Sequence, residues 1–126
     1  MKKENILLDL SIEFSTKIIK LVKKLKENRE SIISNQVGRS GTSIGANIHE
    51  AQYGNSKADF IAKLHIALKE ANETKYWLIL LNKSSYIDDN EYQALENDCE
   101  KIKAMLIKSI NTAKGNNKLI RSCSNE

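Results

Sequence analysis

Apolar residues recur every three or four positions through four long segments of this chain, and the sequence contains no proline. That spacing places them on one face of an α-helix, and proline is the residue that most strongly interrupts one. The chain is therefore expected to be helical throughout. In the first predicted helix, from about Ile6 to Glu27, the stripe is Leu7, Leu10, Phe14, Ile18, Leu21 and Leu25.

Three further segments follow the same rule, and short polar connections separate them. The second runs from just after Ser31 to Tyr53, with its stripe at Ile33, Val37, Ile44, Ile48 and Ala51. The third, from about Lys57 to Lys83, carries Phe60, Leu64, Ala67, Leu68, Ala71, Leu78 and Leu81. The fourth follows Asp88 and ends near Gly115, with Tyr92, Leu95, Cys99, Ile102, Leu106 and Ile110.

The connections contain residues that end and begin helices. Ser56 with Asp59, and Asp88 with Glu91, have the spacing of a capping box. Gly54 is suited to the left-handed conformation that closes many helices. Because short connections join helices that run in opposite directions, we predict an all-α, antiparallel up-and-down four-helix bundle over residues 1–115. Residues 116–126 are expected to form a polar, disordered tail.

The formal net charge of +4 and pI of about 9.0 are compatible with a nucleic acid or an acidic protein as a partner. Lysines crowd the second half of the first predicted helix. Such a run ordinarily forms a solvated face, and its functional alternative is a surface that contacts RNA. The candidate nucleic-acid-binding residues are Lys17, Lys20, Lys23, Lys24, Arg39, Lys114, Lys118 and Arg121.

Other classes of protein find little support in the sequence. No apolar run approaches the roughly 18 residues that a membrane span needs. Cys99 and Cys123 lack metal-type spacing, and His49 and His65 are the only histidines, so we expect neither a metal site nor a cofactor. Reduced cysteines and the absence of a signal-peptide pattern predict a cytoplasmic protein.

The run from Gly38 to Glu50 is rich in glycine and serine, which raises the question of a phosphate-binding loop. A P-loop needs two glycines at a fixed spacing followed by Lys and Ser or Thr, and a dinucleotide-binding motif follows a strand. Gly38, Gly41 and Gly45 meet neither condition. We therefore predict a helix here, although each interior glycine costs about 0.5–1 kcal/mol relative to alanine and requires a compensating contact.

Away from its apolar stripe, this second helix has a back face without strong charge. An exposed helix normally carries Lys and Glu on such a face. We therefore predict that the face is a contact between subunits of a homo-oligomer, with the glycines allowing close backbone approach. The predicted interface residues are Gly38, Thr42, Gly45, Ala46, His49 and Tyr53.

A polar seam, defined by Arg39, Ser43, Asn47 and Glu50, lies between these two faces of the helix. A catalytic role would need a second carboxylate near Glu50, or a His-Asp pair beside a serine, and the sequence shows neither. A buried structural network, in which the two charges and the amide find partners, is the favoured interpretation. An enzyme that uses the seam is the less favoured alternative.

One longer pattern spans the second and third helices: Gln36-Val37-Gly38-Arg39-Ser40, Ser43-Ile44, Asn47-Ile48, Glu50, Ser56, Asp59-Phe60, Lys63-Leu64, Ala67-Leu68-Lys69-Glu70-Ala71, Glu73-Thr74 and Tyr76-Trp77-Leu78. This pattern resembles the bacterial four-helix proteins called 23S rRNA-intervening-sequence proteins. The first and fourth helices resemble them only in periodicity. The chain differs from that family at Gly41 and His49, where a larger residue and an alanine are expected.

The resemblance implies a four-helix subunit that assembles into a ring-shaped homopentamer with no established enzymatic activity. It also implies a relation to the accessory proteins of diversity-generating retroelements, which are basic pentamers thought to act with a reverse transcriptase and nucleic acid. The leading hypothesis is thus a non-enzymatic ring whose basic surface binds RNA or a nucleoprotein. The alternative is a scaffolding adaptor that binds another protein and no nucleic acid.

Overall fold

Four α-helices account for nearly all of the computed structural model, which describes the backbone of residues 5–125 and the side chains of residues 5–115. They are α1 (Ile6–Glu27), α2 (Ile32–Ala51), α3 (Lys57–Lys83) and α4 (Asp89–Asn125), and no strand occurs within residues 5–125. Gly115 interrupts α4 with a non-helical backbone, at the point where the sequence predicted its end. The predicted disordered tail, 116–126, lies outside the residues whose side chains are described.

Each helix begins at a side chain that accepts hydrogen bonds from the first turn. The caps predicted from the capping-box spacing are present, since Ser56 Oγ accepts from the backbone N–H of Asp59 at 3.1 Å and Asp88 Oδ1 from that of Glu91 at 2.8 Å. At α2, however, Ser31 makes no capping bond. The buried Glu30 carboxylate caps that helix, accepting from the N–H groups of Ile33 (3.0 Å) and Ser34 (2.7 Å).

Two helix ends close through residues in the left-handed conformation, and neither residue is glycine. Arg29 (φ 65°) follows α1 and Ser85 (φ 68°) follows α3. Each allows the next residue to donate back to the helix, from the Glu30 N–H to the Leu25 carbonyl and from the Tyr86 N–H to the Leu81 carbonyl, both at 2.8 Å. The left-handed cap predicted at Gly54 is wrong, because no glycine in the described chain has that conformation.

Contacts between side chains set the direction of each helix relative to its neighbours. Along α1, Ile18 faces Gly41 of α2, and Ser11 lies further back against Gly45, so α1 and α2 are antiparallel. Arg39 and Ser40 of α2 are bonded to Glu73 and Thr74 of α3, whereas Gly54, which follows α2, contacts Asp59 near the start of α3. α2 and α3 are therefore antiparallel as well. The ion pairs Lys75–Glu100 and Lys17–Asp98 join α4 to α3 and to α1. The helices therefore form a square bundle in which each contacts two neighbours and runs opposite to them.

The apolar stripes predicted from the sequence meet along the axis of this bundle. Most of their members are buried, and the remaining ones are half-buried at the edge of the core: Leu10, Ile33, Phe60, Leu68 and Tyr92. Polar groups inside the core are largely bonded, as Ser40 and Thr74 are to each other at 2.8 Å. The predicted all-α four-helix fold is therefore confirmed in its helices and its core.

The glycines of α2 bring its backbone close to α1 of the same chain. A Cβ atom at Gly41 would lie 2.9 Å from Cγ1 of Ile18, one at Gly38 would lie 3.1 Å from Cγ2 of Val22, and one at Gly45 would lie 3.1 Å from Oγ of Ser11. The compensating contact for these glycines is thus made within the subunit. The expectation that they serve close approach to another subunit is wrong, because α1 already fills that space.

Candidate nucleic-acid interface

A groove runs between α1 and α4, which make the least contact of all the neighbouring helices. It encloses about 370 Å³, and its floor is apolar. The lysines of α1 and one glutamate of α4 form its rim, and the lining residues are Lys17, Lys20, Leu21, Lys24, Glu91, Ala94 and Leu95. Three of the predicted nucleic-acid-binding lysines therefore share one side of α1.

Two ion pairs cross this groove. Lys17 Nζ lies 2.7 Å from Asp98 Oδ2, and Lys24 Nζ lies 2.6 Å from Glu91 Oε1. Lys20 lies between them and makes no ion pair within the described chain. The two paired lysines are 53% and 45% exposed, and surface pairs of this kind contribute only about 0–1 kcal/mol each. Their ammonium groups can therefore exchange a carboxylate for another anion at small cost.

The other predicted nucleic-acid-binding residues do not join this group. Lys23 is exposed on the outer side of α1, and Lys114 is exposed near the far end of α4. Arg39 lies on the opposite part of the bundle, where it is bound to two carboxylates of α3. The side chains of Lys118 and Arg121 lie outside the described residues.

Arg39 is the centre of a cluster that connects α2 to α3. Its guanidinium lies 3.2 Å from Glu70 Oε1 and donates a short hydrogen bond to Glu73, whose carboxylate also accepts from Trp77 Nε1 at 3.0 Å. The bond to Glu73 raises the pKa of Arg39, and the Arg39 and Trp77 donors lower the pKa of Glu73. The sequence did not identify Glu70 and Glu73 as the partners of Arg39, because the pairing depends on the register of two helices.

The predicted polar seam is not a buried network. Ser43 Oγ donates to the carbonyl of Arg39 at 2.6 Å, and Asn47 Nδ2 donates to the carbonyl of Ser43 at 2.9 Å, so both satisfy themselves within α2. Arg39 is half-exposed, and Glu50 is exposed and makes no ion pair within the described chain. The expectation of a buried Arg39 and Glu50 is therefore wrong, because this side of α2 faces solvent at both positions.

The predicted subunit contact on α2 is divided between two environments. Gly38 and Gly45 lie at the contact with α1 described above, whereas Ala46, His49 and Tyr53 are exposed and Thr42 is half-buried. The rings of His49 and Tyr53 are tilted against each other with centroids 5.3 Å apart. A contact with another subunit at these exposed residues stays a prediction.

Within residues 5–115, the remaining polar and sulfur groups form no evident reaction centre. No cluster of three His, Cys, Asp or Glu side chains in the described part of the chain is arranged to hold a metal ion. Cys99 is buried beside the Ala71 carbonyl, and burial raises the pKa of its thiol to about 12. None of the described helices combines the length and the hydropathy that crossing a membrane requires.

Comparison with known proteins places the chain among relatives. The family model for the 23S rRNA-intervening sequence protein matches residues 3–108. The chain is also similar to a solved structure of a protein of unknown function from the S23 ribosomal protein family of Bacteroides thetaiotaomicron. The two are 51% identical with a TM-score of 0.82, and the match covers 83% of this chain and 98% of the other. The comparison with curated proteins found no match. The resemblance drawn from the second and third helices is confirmed, and the chain belongs to the 23S rRNA-intervening sequence protein family.

Proposed function

We propose that this chain is a non-enzymatic, homo-oligomeric protein of the cytoplasm that binds RNA along the α1 side of the α1–α4 groove. The observation that carries the proposal is the alignment of Lys17, Lys20 and Lys24 on one rim. At 1.5 Å per residue, the first and last of these lie about 10 Å apart along the helix, a distance that spans several consecutive phosphates of a nucleic acid.

Electrostatics and the groove floor act together in this proposal. Phosphates replace Asp98 and Glu91 as partners of the two paired lysines, while Lys20 binds without losing an internal partner. The apolar floor, formed by Leu21 and Leu95, accepts the uncharged face of a ribose or an unstacked base. Affinity should come mainly from the released counterions, so it should fall steeply with salt.

The test is filter binding of a structured RNA at 50 mM and 200 mM salt, with the triple variant Lys17→Gln/Lys20→Gln/Lys24→Gln. Removing three phosphate contacts should reduce the slope of log K against log salt by about 2 to 3. A slope of that size corresponds to a change of about 20- to 40-fold in affinity between the two salt concentrations. The matched control is Lys57→Gln/Lys83→Gln/Lys101→Gln, which removes the same charge from exposed lysines outside the groove. Absence of binding at low salt, or an equal loss in the control, would refute the proposal.

A homo-oligomer, a ring-shaped pentamer as the resemblance implies, is the second part of the proposal. Its support is the amount of exposed apolar surface, which includes Ile12, Ile19, Ile32 and Tyr53 at 53%, 60%, 76% and 72% exposure. Multi-angle light scattering at micromolar concentration tests it, and a stable monomer would refute it. A scaffolding adaptor without nucleic acid is the outcome if the chain assembles but binds no RNA.

A further inference from the structure

On two of the helices, exposed apolar residues recur at helical spacing among polar ones, along a stripe on the side that faces away from the bundle core. On α1 this outer stripe is Asp9, Ile12, Thr16, Ile19 and Lys23, at alternating spacings of three and four. On α3 it is Ala62, Ile66, Lys69, Glu73, Tyr76 and Leu80, at the same spacings. Ile12 and Ile19 are 53% and 60% exposed, and Ile66 and Tyr76 are 41% and 54% exposed. Stripes with this period are the pattern by which helices pack side by side.

The two outer stripes lie on opposite sides of the subunit and run in the same direction. α1 and α3 both pack against α2 in antiparallel fashion, and their backbones do not approach each other closely. The heights of residues along the bundle axis follow from two contacts, because Ile18 of α1 faces Gly41 of α2 and the adjacent Ser40 is bonded to Thr74 of α3. At 1.5 Å per residue, Ile19 and Tyr76 then differ in height by about 3 Å. By the same count towards the start of each helix, Ile12 and Ile66 differ in height by about 2 Å. Ile12 and Ile19 therefore each have an apolar counterpart on α3 at nearly the same height.

Charge distinguishes the two stripes. Ile12 is flanked by the carboxylates of Asp9 and Glu13, and Ile66 is flanked by the ammonium groups of Lys63 and Lys69. Within the described chain none of these four charged side chains makes an ion pair. An isoleucine between two acids is thus the complement of an isoleucine between two lysines, whereas either stripe placed against itself would bring like charges together.

We propose that a second copy of this chain occupies each stripe, so that the outer face of α1 in one subunit packs against the outer face of α3 in the next. This inference rests on the proposed homo-oligomer and assigns its interface to the outer faces of α1 and α3. The contact is heterologous, because two different surfaces meet. Since the matched residues differ in height by only about 2 to 3 Å, successive subunits need little shift along the helix axes, as a closed ring of subunits requires.

The interface is compatible with the proposed RNA-binding groove. Lys17, Lys20 and Lys24 lie on the side of α1 that faces α4, whereas the outer stripe faces away from the bundle. Only Lys23, at the end of the stripe, would become covered. Loss of assembly and loss of RNA binding can therefore be measured with separate variants.

Disulfide cross-linking tests the pairing directly, in a Cys123→Ser background that leaves only the buried Cys99. The double variant Ile12→Cys/Ile66→Cys should give a ladder of covalent dimers, trimers and larger species under oxidation, and each single variant should remain monomeric on a denaturing gel. Dimers from Ile12→Cys alone would show a two-fold contact and overturn the proposal. Absence of the ladder in an assembly that light scattering shows to be intact would overturn this interface but leave the oligomer standing. A monomer in light scattering would refute the oligomer itself.

Charge reversal provides a second measurement. Glu13→Lys should weaken assembly by about tenfold or more, because it places three like charges around the contact, and Glu13→Lys/Lys69→Glu should restore much of it. The matched control is Ile107→Asp, which introduces a charge at an exposed isoleucine of α4 outside both stripes and should leave the dissociation constant unchanged. Equal weakening by Ile12→Asp and Ile107→Asp in analytical ultracentrifugation would contradict the proposal.

Discussion

Replacing Gly41 by alanine tests whether close packing of α1 on α2 depends on this glycine. The new Cβ would lie 2.9 Å and 3.0 Å from the two γ carbons of Ile18, which is fully buried and has no room to move. Such overpacking typically costs about 1–3 kcal/mol. Alanine's better helix propensity returns about 1 kcal/mol, so the net loss is expected to be about 0–2 kcal/mol. A loss of 1 kcal/mol would lower the melting midpoint by about 4 °C.

The measurement is a double-mutant cycle of Gly41→Ala with Ile18→Ala, by urea unfolding at a fixed subunit concentration. Without the Ile18 side chain the clash disappears, so Gly41→Ala should then stabilise the fold by up to about 1 kcal/mol. The expected coupling between the two positions is about 1–3 kcal/mol. Gly38→Ala is the control, because its single close contact is with a half-buried Val22 that can adjust. An equal stabilisation by Gly41→Ala in both backgrounds would show that Ile18 does not require the glycine.

Four further outcomes follow from the same contacts. Glu30→Ala should lower the free energy of unfolding by about 1 kcal/mol in urea titrations, because α2 loses its cap, and an unchanged midpoint would contradict that role. Ser85→Gly should raise that free energy by about 1 kcal/mol, because glycine adopts the left-handed conformation without strain, and a loss of stability would count against it. The Cys99 thiol should resist alkylation at pH 8 until the protein unfolds. Because folding raises its pKa from 9.0 to about 12, its contribution to stability is complete below pH 9 and is lost as the pH rises towards 12, which urea midpoints across that range can detect. Glu50→Gln should change stability by less than about 0.5 kcal/mol, since this exposed carboxylate has no ion pair in the described chain, and a larger loss would restore the buried seam.

Helix positions and two of the N-terminal caps could be read from the sequence. The bounds predicted for the first and third helices agree with α1 and α3, and the capping roles of Ser56 and Asp88 are present. These features are local, since an apolar period and a cap involve residues within a few positions of each other. Helix α2 ends at Ala51, two residues before the predicted Tyr53, which is the ordinary uncertainty of helix ends.

The candidate site was predictable in its residue types and not in its geometry. The lysine run of α1 could be found from the sequence, but not the fact that Lys17 and Lys24 bind Asp98 and Glu91 across a groove. That arrangement depends on the distance between α1 and α4. Similarly, Arg39 could be selected as a charged residue needing partners, while its bonds to Glu70 and Glu73 required the register of α2 on α3.

By itself, the sequence determined the helices and the faces they bury, because each depends on residue spacing along one segment, and the residue pattern of the second and third helices indicated the family. The tertiary structure decided which neighbour each face meets. It turned the glycines of α2 towards α1, where a Cβ atom added at Gly41 would lie 2.9 Å from Cγ1 of the buried Ile18. It also left the outer faces of α1 and α3 uncovered. The meaning of a small or apolar residue depends on what packs against it, and that is a property of helices far apart in the chain.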